Sequence, residues 1–137
     1  KKFVNKVWNA SRVALMQIGH SKIQIKNIES QTELTQADKK ILKQLKETSQ
    51  KITKYLKDYQ FGSAAHLVYD FFWHDFCDKY IESAKKQNDQ KTKEILAYVL
   101  LNSLKILHPF IPFATEAIYQ TLSFKEKELL MIEEWPK

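Results

Sequence analysis

Two glycines (Gly19 and Gly62) and three prolines (Pro109, Pro112 and Pro136) are all the tight-turn punctuation found in 137 residues. That is too little for the many short strands of a β sandwich or barrel, and it points to long helices joined by a few loops. A single cysteine, Cys77, excludes an internal disulfide and fits a reducing, cytoplasmic setting. Apolar runs are short. The run that contains Ala97-Tyr98-Val99-Leu100-Leu101 extends back to Ile95 and has seven residues, against the ~20 residues a helix needs to cross a bilayer. With no signal-peptide pattern at the N-terminus, a soluble chain with no membrane partner is expected. A glycine-rich phosphate cradle is also missing, so nucleotide chemistry has no visible home in these residues.

Apolar side chains and positive charge are plentiful. Apolar residues make up 44% of the chain, enough for one continuous core, and the length makes residues 1–137 a single domain. The formal net charge is +6 and is held unevenly. Residues 1–60 carry thirteen Lys/Arg against five Asp/Glu, whereas residues 61–137 carry nine against eleven. A one-sided basic surface attracts polyanions, nucleic acid or an anionic membrane being the usual partners, and a lysine-rich face that merely meets water has the same composition.

Hydrophobic periodicity predicts an all-α bundle of about five helices. Helix one covers residues 2–17, with Val4, Trp8, Ser11 and Leu15 as its apolar stripe and Phe3, Val7 and Ala14 widening it. Asn5, Asn9 and Arg12 repeat at i, i+4, i+7 on a neighbouring strip. Residues 18–33 lose the rhythm and read as a long connector in which Ile23-Gln24-Ile25 can form a short extended piece. Thr35 and Asp38 have the spacing of a capping arrangement and start helix two, 35–58, with Leu42, Leu45, Ser49, Ile52, Leu56 and Tyr59 as its seam. Lys39, Lys43, Lys46, Lys54 and Lys57 occupy a separate strip of that helix, facing water or phosphate.

Helix three, 61–86, is apolar on more than one side (Phe61, Ala65, Val68, Phe72 and Phe76; Tyr69, Trp73 and Tyr80) and is expected to be the central helix. Helix four, 90–107, buries Leu96, Val99, Leu100, Ser103, Leu104 and Leu107 and stops at Pro109, whose ring cannot continue the ladder. Pro112 suits the first turn of helix five, 112–122. The tail from Leu129 to Pro136 is expected to be extended and to pack back on the bundle.

Several side chains invite a chemical reading. His74 and Cys77, at i, i+3, supply two potential metal ligands, but a zinc site needs three or four and no second Cys/His pair exists, so packing is the plainer role. Asp70, Asp75, Asp78 and Glu82 resemble paired acid/base carboxylates, yet ion pairs within the bundle account for them as well. Cys77 as the nucleophile of an independent enzyme lacks a neighbouring base in the sequence. Asn5, Asn9 and Arg12 are the best candidates for contact with bases, because amides and a guanidinium offer the donor and acceptor patterns that read the edges of an unpaired loop. On periodicity alone the plainer reading is that the asparagines are merely solvated and Arg12 pairs with a carboxylate.

Three stretches, taken in order, narrow the alternatives: Asn5-Lys6-Val7-Trp8-Asn9-Ala10-Ser11-Arg12; Tyr69-Asp70-Phe71-Phe72-Trp73-His74-Asp75-Phe76-Cys77-Asp78-Lys79-Tyr80-Ile81-Glu82; and Leu107-His108-Pro109-Phe110-Ile111-Pro112-Phe113-Ala114-Thr115-Glu116. Together they resemble the anticodon-binding helical domain of class I valyl-tRNA synthetases, over nearly the whole chain. The isoleucine enzymes are the next most similar group, and a basic helical protein-interaction module is the alternative from another class. The resemblance implies a fragment of a larger synthetase whose partners are tRNA, through its anticodon stem and loop and tRNA(Val) in particular, and the catalytic domain of the same chain. The parent reaction it implies is ligation of valine to tRNA with ATP and Mg²⁺, with no cofactor and no catalytic centre in this piece.

Carried over residue by residue, the resemblance places Asn9 and Arg12 beside the anticodon bases, with Asn5 and Lys6 next to them. The lysines of helices one and two, Lys43 and Lys46 among them, would supply sequence-independent attraction. Two departures stand out. The family commonly has an aromatic where this chain has Val13, and a tryptophan where it has Lys79. Stacking, worth ~1–3 kcal/mol per base where present, is therefore not expected at these positions, and Lys79 is available to a phosphate instead. Gln17-Ile18-Gly19-His20 matches the ATP-gripping His-Ile-Gly-His signature of class I synthetases at three of four positions. Here it ends an amphipathic helix and follows no Rossmann strand, so it reads as coincidence. No Lys-Met-Ser-Lys-Ser loop occurs.

Overall fold

A computed structural model describes residues 2–19, 34–87, 89–125 and 127–136, and among these the chain is helical with no strand. The predicted connector, including Ile23-Gln24-Ile25, falls largely on residues 20–33, outside the described residues. Five rods form the domain: α1 (Lys2–Ile18), α2 (Gln36–Lys57), a continuous rod made of α3 (Phe61–Asp70), a π-helical segment (Phe71–Tyr80) and α4 (Ile81–Gln87), then α5 (Gln90–Leu107) and α6 (Pro112–Gln120). A 3-10 turn, Leu130–Ile132, interrupts the tail.

Caps explain the boundaries. Thr35 Oγ1 accepts from the Asp38 amide while Asp38 accepts from the Thr35 amide, both at 3.1 Å, closing a reciprocal box at the start of α2. A cap of this kind is worth about 1 kcal/mol. Asp89 caps α5, its carboxylate accepting from the Thr92 amide at 2.8 Å. Pro112 opens α6 from its first turn, and the turn before it is held where His108 Nδ1 lies 2.9 Å from Thr115 Oγ1. The Leu-His-Pro-Phe-Ile-Pro run is thus the corner between α5 and α6.

Burial corrects the expected faces. α5, with twelve of eighteen residues buried, is the centre of the bundle and packs on α1, α2, α4 and α6. The rod expected to be central buries only Ala64 and Val68 within α3, and Phe61 stands 55% exposed. Its buried rings gather in the π segment, where Phe72, Phe76 and Tyr80 follow one another at centroid distances of 5.4 and 6.5 Å. On α1 the buried set is Val7, Ala10, Ser11, Ala14 and Ile18, one position round from the expected stripe. Small residues let α1 lie close to α5, and the bulky Trp8 ring is turned aside. On α2, Ile41 and Thr48 replace Leu42 and Leu56 as fully buried positions, and Tyr59 lies beyond the helix, exposed. The lysine strip Lys39, Lys43, Lys46, Lys54 and Lys57 faces solvent as its spacing required.

α1 and α2 each lean on α5 without packing on one another, so they lie diagonally across the bundle. α1 runs alongside the α3–α4 rod: the Phe3 ring meets Tyr69 at 4.8 Å, and at the other end the Gln17 amide donates to the Ala84 carbonyl. The tail folds back over α6, α5 and α2. The Leu130 amide donates to Glu116 at 2.9 Å, the Tyr119 hydroxyl to Glu133 at 2.6 Å, and the Trp135 indole to Thr53 Oγ1 at 2.7 Å. Burial and the Glu133 carboxylate push the Tyr119 phenol up to about 12.

Candidate nucleic-acid interface

Asn5, Asn9 and Arg12 all sit on the outer side of α1, exposed. None of the three side chains has a hydrogen bond or ion pair among the described residues. Toward the described residues, their amides and the guanidinium of Arg12, the only arginine in the chain, keep their full donor and acceptor capacity. Beside them, between α1 and α6, runs a groove of about 650 Å³ lined by Trp8, Arg12, Leu15, Met16, Ile118 and Thr121. Ser11 lines the same groove, and its buried hydroxyl finds no partner among the described residues. Trp8 is 38% exposed there and Met16 75%. An apolar wall with a ring, a free guanidinium and adjacent amides can hold a planar polar group by its face and read its edge.

Lys6 differs from its neighbours. Its ammonium lies 3.4 Å from Asp78 and 4.6 Å from the centroid of the Trp73 ring, so it binds α1 to the π segment. Lys43 and Lys46 are exposed on α2, across the bundle from Arg12. The structure puts Asn5, Asn9 and Arg12 on one exposed strip of α1, but of the three Arg12 lines this groove, whereas Asn9 lines a smaller one with Lys6, Val13 and Glu82, and Lys43 and Lys46 stand on α2. Gly19, with φ +63°, ends α1 in the left-handed region that glycine adopts without strain. The resemblance of residues 17–20 to an ATP signature coincides with this helix stop; His20 is outside the described residues.

The remaining candidates are occupied in other ways. Asp70 pairs with His66 at 3.2 Å, Asp78 also with His74 at 3.3 Å, and Glu82 with Lys85 at 3.1 Å, all on the exposed side of one rod. Cys77 is buried, and desolvation pushes its thiol up to about 12 despite the opposing pull of Lys6. A thiol held protonated at neutral pH is a poor nucleophile and a poor ligand. Among the described residues no group of three or more His, Cys, Asp or Glu is placed to hold a metal.

A polar cluster of greater structural consequence surrounds Asp38, which is 2% exposed. Besides its capping bond, it accepts from the Tyr80 hydroxyl at 2.8 Å and from the Gln87 amide at 3.3 Å, and Gln87 also donates to Thr92 Oγ1 at 2.9 Å. This network ties the starts of α2 and α5 to the ends of the π segment and α4. Burial, reinforced by the Asp38 carboxylate, drives the Tyr80 phenol far above its ordinary range. Only the Thr35–Asp38 half was visible as local spacing. Tyr80, Gln87 and Thr92 gave no signal, and neither did Ile118 and Thr121 of the groove, because their partners come from distant parts of the chain.

Comparison with known proteins adds the missing context. A family model described as the anticodon-binding domain of tRNA ligase matches residues 38–137. The chain is similar to the valine--tRNA ligase of Listeria monocytogenes serovar 1/2a at 43% identity, to that of Staphylococcus saprophyticus subsp. saprophyticus at 39%, and to that of Geobacillus stearothermophilus at 42%. Each similarity covers 98% of this chain and 16% of the relative, so the chain spans about a sixth of the length of the curated relatives it matches. The α1 strip precedes the family match and falls within what the relatives share. A match that runs from the capped start of α2 to the end of the chain is decisive: this chain belongs to the anticodon-binding domain family of tRNA ligases.

Proposed function

We propose that this domain recognises the anticodon stem and loop of tRNA(Val) as part of a valine–tRNA ligase, a parent enzyme that joins valine to its tRNA at the expense of ATP in the cytoplasm. The observation that carries the reading is the exposed strip Asn5, Asn9 and Arg12, unpaired among the described residues and meeting the Trp8 groove at Arg12, in a chain of an anticodon-binding family. In this reading Arg12 and Asn9 hydrogen-bond to the edges of splayed anticodon bases, and the groove wall covers one base face. Asn5 contributes at the margin. Lys6 acts through Asp78 and Trp73 as a support for α1. In this reading ATP and Mg²⁺ are used by the parent's catalytic domain.

Lys43 and Lys46 serve the same partner in a different way. Charges are screened beyond ~8 Å at physiological ionic strength, and packed helix axes are already 8–10 Å apart, so lysines on the diagonal helix do not act on the bases that Arg12 meets. They attract the RNA backbone elsewhere, without regard to sequence. Competition between anticodon-loop RNAs that differ only in the three anticodon bases tests the proposal. Preference for the valine anticodon is the expected result, and indifference to those bases would refute it.

A further inference from the structure

The turn between α2 and α3 carries an oddity that the anticodon site does not use. α2 ends in a left-handed cap: the Gln60 amide donates to Tyr55 O at 2.8 Å and the Tyr59 amide to Leu56 O at 3.2 Å, with Tyr59 at φ +58°. Glycine is the usual occupant of that position, because any Cβ there crowds the backbone. Here a tyrosine takes it, and burial does not offset the strain, since Tyr59 is 80% exposed. Among the described residues its ring meets one other ring, Phe61, edge-on at 6.2 Å, and Phe61 is itself 55% exposed. Two large rings are thus held out in water on a rigid helical corner. They stand at the end of the lysine strip: Lys54 and Lys57 occupy the last turns of α2 and have no acidic partner among the described residues, and Lys46, Lys43 and Lys39 continue the line away from the corner.

We infer that this corner is a second RNA contact, at which an unpaired base stacks on Tyr59, braced by Phe61, while the lysines of α2 follow the adjoining phosphates. Exposed rings next to a track of unpaired ammonium groups are the arrangement that holds single-stranded nucleic acid without regard to sequence. Charge favours RNA over a protein partner, because five lysines line the exposed side of α2 that leads to the rings, with Gln50 among them and Glu47 beside them. The lysines from Lys39 to Lys57 extend roughly 27 Å along the helix, room for several nucleotides of backbone. The choice of a transfer RNA as the natural ligand rests on the function proposed above; the stacking corner itself does not.

The test uses the 137-residue chain with three substitutions, Tyr59→Phe, Tyr59→Leu and Tyr59→Gly, titrated by fluorescence anisotropy against a labelled valine tRNA transcript and a labelled oligouridine. Tyr59→Phe retains binding to both RNAs. Tyr59→Leu and Tyr59→Gly lose at least about five-fold on both, while the preference among anticodons keeps its ratio. Thermal melting accompanies the titration: Tyr59→Gly melts higher than the unchanged chain because the strain is gone, so its weaker binding is not a loss of fold. Unchanged affinity in the Leu and Gly variants, or no measurable binding of either RNA by the unchanged chain at 50 mM salt, an ionic strength of about 0.05 M that favours phosphate contacts, overturns the inference. Anticodon indifference with intact Tyr59 dependence refutes the anticodon reading alone.

Discussion

α1 and α2 are the two outer helices of the bundle that lean on α5 from opposite corners, and they differ in both how they are held and what they show. α2 is pinned at its start by a capping box and by the buried Asp38 network, and its outer face is a row of lysines. α1 is held chiefly by small side chains against α5, by Lys6 and by one Gln17 bond, and its outer face carries two asparagines and the single arginine. Charge without direction sits on the firmly anchored helix, and directional donors and acceptors sit beside a groove. In the function proposed above, affinity and selectivity are thereby separated in space, so that they can be perturbed independently.

The largest break in this comparison is Asp38→Ala. It removes the cap and leaves the Tyr80 hydroxyl and the Gln87 amide without their acceptor; at 1–3 kcal/mol for each buried group left unsatisfied, about 3 kcal/mol or more of stability is lost, read as a shifted urea midpoint. Gln17→Ala on α1 should cost far less, and equal losses would mean that the two helices are anchored alike. Next in size, Arg12→Ala removes a directional contact worth about 1–3 kcal/mol of discrimination, seen as a flattened ranking of anticodon-loop RNAs. The double substitution of Lys43 and Lys46 by alanine should weaken all tRNAs alike and lower the salt slope by about two. Equal loss of discrimination from both changes would erase the proposed division.

A control should strike both helices together. Asp89 caps α5, on which both lean, and its carboxyl is held below its ordinary value by the hydrogen bonds from Thr92. A depressed carboxyl contributes stability above its unfolded value and loses it as the pH falls through the folded one. Asp89→Ala should cost about 1 kcal/mol at neutral pH and flatten the acid limb of the stability profile without changing the anticodon ranking. The smallest effect belongs to Lys6→Ala. An exposed pair contributes about 0.5 kcal/mol or less, and because Lys6 already faces Asp78 and Trp73, tRNA ranking should stay as it is; a change like that of Arg12 would move Lys6 into the reading face.

Much of the fold was legible because helix ends are written in local chemistry. Thr35 with Asp38 and Pro109 with Pro112 placed the helix ends beside them within about two residues, the usual ambiguity of helix ends. The faces were less legible. An amphipathic stripe one position wide cannot tell whether Trp8 or Ala10 turns inward until the spacing to α5 is known. The π segment left no trace in the periodicity, since its aromatic spacing also fits an ordinary helix. Asn5, Asn9 and Arg12 were visible as a strip, whereas the groove beside them, lined from α6 by Ile118 and Thr121, was not.

The helical class, the number of rods, their caps and the basic half of the chain followed from neighbouring residues, because hydrogen-bond ladders, caps and proline stops act within a few positions. Which groups stay free was decided only by assembly. Lys6 and Arg12 look alike along the chain, yet one lies against the π segment and is paired, while the other faces a groove and has no partner among the described residues. The diagonal placement of the lysine helix and the exposure of Tyr59 arose in the same way, from long-range packing around α5 that no local interaction specifies.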